Sequence, residues 1–108
     1  MRVVNRAEFL AMPIGTVFNK HALGNLGDPC VKGETWGNDF LVQYFDTMEC
    51  PTGVEYIKTH YKLENGEEIA LDFDCLGRDG CFDEDQQFAV WSDADVEALI
   101  TRLQNRKP

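Results

Sequence analysis

Basic residues are scarce: ten Lys and Arg stand against nineteen Asp and Glu in 108 residues, for a net charge of −9. That balance disfavours docking onto nucleic-acid backbones or anionic lipid, so neither direct nucleic acid nor a membrane is an expected partner. Long apolar runs are missing as well, and nothing approaches the roughly 18 consecutive apolar residues of a membrane span. The opening MRVVNRAEFLAM has neither the apolar core nor the small-residue cleavage site of a secretory signal, so a cytosolic location is expected. No CxxC pair occurs; Cys30, Cys50, Cys75 and Cys81 are spaced by 20, 25 and 6 and read as reduced thiols, mostly core filler. GxGxxG and a Walker loop are both absent, and GNLGDP lacks the lysine that follows the glycines of a phosphate loop. Internal repeats, linkers and low-complexity stretches are lacking too.

What is present is ordinary globular composition, with 44% hydrophobic and 27% charged residues in a length suited to one domain. Val3-Val4 starts extended, and Asn5 with Glu8 forms a capping box for a short helix over 6–11 that Pro13 stops. Thr16 to Lys20 reads as a strand, His21 to Pro29 as a loop, GETWGND as a second loop and Phe40 to Phe45 as a central strand.

Residues 54–64, VEYIKTHYKLE, have strand-favouring residues and are followed by Asn65-Gly66, a strong hairpin signal. Register argues otherwise, because a two-residue hairpin sets Ile69, Leu71 and Phe73 opposite Lys62, His60 and Lys58. As a helix, Thr52 and Glu55 cap the start, and Glu55, Lys58, Thr59 and Lys62 share one side. Val54, Tyr56, Ile57, Tyr61 and Leu63 fill the remaining arc, and Asn65-Gly66 supplies the stop. Glu67 to Phe73 alternates like a half-buried strand, 77–85 reads as a loop and Gln87 to Trp91 as a strand. Ser92 with Asp95 caps a C-terminal helix carrying Val96, Leu99, Ile100 and Leu103. The expected fold is a small α+β domain, a mostly antiparallel sheet with short N-terminal, middle and C-terminal helices.

Charge is unevenly placed. Residues 64–97 hold twelve acids and only Arg78 as a base, and the rest of the chain holds seven acids and nine bases. Inward-facing apolar residues must push those carboxylates outward, so the block is either a solubilising surface or a docking face for a basic partner, including one whose own ligand is nucleic acid. Glu68, Asp74, Asp83, Glu84 and Asp85 are the candidate contacts.

A calcium loop started at Asp72 fails at its fifth position, Leu76, and has a short Asp83 at its twelfth. Cys75 and Cys81 miss zinc-pair spacing, and His21 and His60 lack a partner at the usual interval, so no metal or other cofactor is expected. A cysteine nucleophile needs His21 or His60 brought beside it, and no nucleophile motif surrounds any of the four thiols. KGETWGNDF and LGRDGCF leave two readings open. Arg78 pairs with Asp79 or Asp39 to fix a loop, or Lys32 and Arg78 grip a small anionic ligand, such as a nucleotide signal, while Trp36 stacks on its ring.

The strings EFLAMPIGTVFNK, KGETWGNDF and RDGCFDEDQQFAVWSDADVEALI resemble small bacteriophage and prophage proteins, and the resemblance spans most of the chain. It implies an accessory factor that neutralises a host function by binding, and it transfers no catalytic residue. The expected function is therefore a non-enzymatic inhibitor, for instance in counter-defence, that docks its acidic surface onto a basic host protein. Sequestration of a small anionic ligand by Lys32, Trp36 and Arg78 is the alternative, and a small cysteine enzyme a more distant one.

Overall fold

The computed structural model of the chain describes residues 1–48, 53–74 and 77–106. Its centre is a set of four phenylalanine rings. Phe9 is carried by a short helix, α1 (Arg6–Leu10), which follows the strand β1 (Arg2–Val4) and is capped by the Asn5 side chain accepting from the Glu8 amide at 2.8 Å. The helix exists to deliver that ring, which lies flat against Phe88 at 4.0 Å and meets Phe18 and Phe40 edge-on at 4.6 and 5.0 Å.

The other three rings come from strands β2 (Val17–Ala22), β4 (Asp39–Tyr44) and β6 (Gln87–Val90). With β3 (Asn25–Trp36) and β5 (Gly77–Arg78) they form an antiparallel sheet in the order β1-β6-β2-β3-β4-β5. Paired residues share a face, so the registers Phe18 to Val90, Phe18 to Cys30, Cys30 to Tyr44, Lys32 to Val42 and Val4 to Phe88 define one side. That side is the core: Val4, Phe18, Cys30, Val42, Phe88 and Val90 are all buried there. β4 and β6 are three strands apart, about 14 Å in a flat sheet. Phe40 and Phe88 nevertheless meet at 5.8 Å, so the sheet curls around its rings.

Two bulges in β3 make that curl possible. One extra residue opposes β2 between Asn19 and His21, where Pro29 is tolerated, and another opposes β4 between Lys32 and Thr35. At the second, a Cβ on Gly33 would lie 2.8 Å from the Leu41 Cβ, which accounts for the glycine.

These bulges correct the two expected loops. The segment 21–29 is mostly strand, with a turn only at Leu23-Gly24, and 33–36 of GETWGND is strand, with the turn at Gly37-Asn38. Gly27, Pro29 and Gly33 interrupt a long strand without ending it.

The middle helix α2 (Gly53–Glu64) forms as the register argument requires. Gly66 takes φ +81°, and the Glu67 amide donates to the Lys62 carbonyl at 3.0 Å, closing the helix. Its expected N-cap Thr52 lies outside the described residues. The strand expected over Glu67 to Phe73 is reduced to one bridge between Met48 and Leu71. The edge it needed is taken, because Gly77 and Arg78 pair with Val42 and Leu41. Correspondingly, the 77–85 segment expected as loop begins as β5. α3 (Asp93–Gln104) starts with the expected Ser92 and Asp95 capping box. Three helices beside an antiparallel sheet make a small α+β domain among the described residues. None of these helices is long and apolar enough to cross a membrane.

Candidate functional site

Two aspartates at the β4–β5 edge organise the polar chemistry there, Asp39 on the face away from the ring core and Asp79 towards it. Asp39, only 2% exposed, accepts from Arg78 Nε at 2.9 Å and from the Gly80 amide at 3.0 Å. Burial pushes its carboxyl up, but the amides of Gly80 and Phe40 and the Arg78 guanidinium outweigh that and hold it below the usual carboxylate range. Of the two readings left open for Arg78, the Asp39 pairing is the one observed, with the arginine side chain itself largely exposed.

Asp79 does the converse. Its side chain is buried, and its Oδ1 meets Lys20 Nζ at 2.6 Å while Oδ2 accepts from the Cys81 amide at 3.2 Å. Lys20 belongs to β2 and Asp79 follows β5, so this pair closes the curl of the sheet like a clasp. Burial disfavours the Lys20 ammonium, yet the hydrogen bond and the charge of Asp79 raise it above the ordinary lysine range.

Beside the clasp is a small cavity of about 170 Å³ lined by Phe18, Lys20, Asp28, Cys30, Val42 and Tyr44 among others. The Cys30 thiol is buried and its Sγ lies 3.3 Å from the Asp28 carbonyl. Burial, reinforced by the Asp28 carboxylate, pushes it up to about 11, so at neutral pH it is a thiol and not a thiolate. Burial also raises the Tyr44 hydroxyl. Cys81 is exposed; Cys50 and Cys75 lie outside the described residues. His21 contacts the Gln87 side chain at 3.2 Å, and His60 packs edge-on against Tyr56.

The ligand site expected from Lys32, Trp36 and Arg78 does not assemble. Lys32 pairs with Val42 and Arg78 with Leu41, and adjacent residues of β4 point to opposite faces. Lys32 is 2% exposed, under the Phe9 ring, and donates to the Gly33 carbonyl at 3.0 Å and to Thr35 Oγ1 at 2.7 Å. With no carboxylate on it, burial lowers its ammonium below the ordinary range. Trp36 is exposed at the end of the hairpin, its indole N–H donating to Glu34.

The acidic candidates fare differently. Glu68, Asp74, Asp83, Glu84 and Asp85 are all exposed. The Asp74 amide donates to Asp72 Oδ1 at 2.9 Å and the Asp85 amide to Asp83 Oδ1 at 3.0 Å, so tight side-chain turns fix both loops. Two interior cations sharpen the asymmetry. Lys32 and Arg6 are buried, and Arg6 donates to the Asn38 carbonyl with its guanidinium 5.8 Å from the Phe40 ring centre. Among the described residues, no three Asp, Glu, His or Cys side chains converge to hold a metal ion.

Sequence reading missed Lys20 and Asp79 as a pair. Lys20 shares its parity with buried Phe18, as Lys32 does with Cys30, and a lysine at an inward position of a strand is the signal that would have found both. No family model, no curated protein and no solved structure matches this chain.

Proposed function

We propose that this chain is a non-enzymatic binding protein, a cytosolic phage accessory factor that inhibits a host protein by docking its acidic surface onto a basic one. The observation that carries the reading is the state of the five acidic candidates: all are exposed, and the loops bearing Asp74 and Asp83–Asp85 are pinned by their own aspartates. A preset carboxylate array loses less conformational freedom on docking than a floppy one. Burial takes Arg6 and Lys32 off the surface that a partner meets, and Lys20 and the exposed Arg78 are each offset by a buried carboxylate, Asp79 and Asp39. The phage setting and the inhibitory role follow from the resemblance described above, and a basic host protein is the partner that this surface chemistry selects.

The test is capture from host lysate by the tagged chain at about 50 mM and about 300 mM salt, where screening shortens from about 14 to about 6 Å. A basic polypeptide retained at low salt and lost at high salt supports the reading, as does its loss from an Asp83→Asn/Glu84→Gln/Asp85→Asn variant at low salt. Retention that ignores both salt and the triple variant overturns it.

A further inference from the structure

The inner face of the curled sheet is not filled throughout. Next to the four packed rings it holds the cavity of about 170 Å³ beside the Lys20–Asp79 clasp. Native interiors contain few voids larger than a water molecule, so a recess of this size against a close-packed core is where a small ligand finds room. Its floor is a row across three strands, Phe18, Cys30 and Tyr44, in register on β2, β3 and β4, with Val42 beside them. Phe18, Cys30 and Val42 are buried, and the Cys30 thiol already donates to the Asp28 carbonyl, so these three offer a ligand apolar contact.

Two charged side chains, Lys20 and Asp28, complete the lining, and only the first is neutralised. Lys20 Nζ lies 2.6 Å from Asp79 Oδ1, so those two charges cancel. Asp28 stands two residues before Cys30 on β3 and therefore faces the same side of the sheet. Among the described residues its carboxylate has neither an ion pair nor a hydrogen-bond donor. The Cys30 thiol registers the sum: the charges of Asp28, Asp79 and Asp46 push it up, and Lys20 alone pulls it down. The potential in the cavity is negative.

We infer that this cavity binds a small primary amine in its cationic form, with the ammonium on the Asp28 carboxylate and the apolar body over Phe18, Cys30 and Val42. A cavity of about 150 Å³ admits a benzene ring, so this one has room for a ring whose single aminomethyl group points to the mouth. An anion of the same size would meet Asp28 and find Lys20 already paired. A metal ion would lack ligands, since no three Asp, Glu, His or Cys side chains converge among the described residues. This inference stands apart from the proposed docking to a host protein, because the Asp83–Asp85 loop does not line the cavity.

Titration of the full chain with benzylamine, followed through its backbone amide NMR signals, tests it. Saturable shifts at Phe18, Asp28, Cys30 and Tyr44 are expected, with a Kd of about 1 mM for a ligand of this size. Benzyl alcohol keeps the ring and loses the charge, and should bind at least about fivefold more weakly. Benzoate should not bind. Asp28→Asn should lower the affinity for benzylamine to that for benzyl alcohol and leave benzyl alcohol binding unchanged, which also shows that the cavity of the variant is intact. Absence of a saturable shift up to about 50 mM overturns the inference. So does benzoate bound as tightly as benzylamine, or benzylamine binding indifferent to Asp28→Asn.

Discussion

Removing the ionisable thiol from the concave face should change how the protein responds to alkali. Cys30 rises from the ordinary 9.0 to about 11 because burial, and then the Asp28 carboxylate, disfavours the thiolate. Two units correspond to about 2.7 kcal/mol between the two protonation states. The folded state favours the neutral thiol, so this stabilisation is fully present below about pH 9 and drains away as the pH rises to about 11. Urea unfolding of the native protein and of Cys30→Val, followed from about pH 8 to about pH 11.5, isolates the contribution. The native protein should lose about 2–3 kcal/mol more than the variant over that interval. Lys20 and Tyr44 titrate in both proteins and largely cancel in the difference. The same shift controls reactivity. At about pH 8 roughly one ordinary thiol in ten is ionised, against roughly one in a thousand at Cys30, so iodoacetamide should modify Cys30 about a hundredfold more slowly than a cysteine reference peptide. Parallel loss of stability in the two proteins, or modification of Cys30 at the peptide's rate, would refute the reasoning.

Phe9→Ala empties the centre of the four-ring cluster and should cost about 3–5 kcal/mol, seen as a melting temperature lowered by about 12–20 °C. Lys20→Met leaves the buried Asp79 carboxylate without its cation and should cost about 2–3 kcal/mol in urea unfolding, and adding Asp79→Asn should recover most of it. Asp39→Asn weakens the anchor of Arg78 and Gly80. Because the carboxyl of Asp39 is held low, its stabilisation is present above the ordinary 3.8 and lost as pH falls through the folded-state value. The melting temperatures of native and variant proteins should therefore differ at neutral pH and converge in acid.

The local devices of this fold were legible. Asn5, Ser92 and Asp95 announce their caps, Asn65-Gly66 ends α2, and opposing charged and apolar residues across a hypothetical hairpin exclude a strand over 54–64. Failures came where a local signal depends on a distant neighbour. Alternation over Glu67 to Phe73 specifies a face but not an edge, and β5 had occupied the edge. Glycine and proline at 27, 29 and 33 punctuate β3 as bulges, which differ from turns only through the strands alongside. The exposure of Glu68, Asp74 and Asp83–Asp85 could be foreseen from charge density alone. The burial of Lys32 could not be foreseen from the loop-like string around it, because the helix that lays Phe9 over it lies upstream, beyond the whole of β2. The clasp joins Lys20 on β2 to Asp79, just after β5 and three strands away in the sheet, and no local pattern encodes it.

Native mass spectrometry of the protein purified from its host at low salt tests the acidic docking surface most directly. The account predicts a stoichiometric complex with one basic polypeptide that is absent from the Asp83→Asn/Glu84→Gln/Asp85→Asn variant. A stoichiometric anionic metabolite on a chain without any polypeptide partner would contradict it.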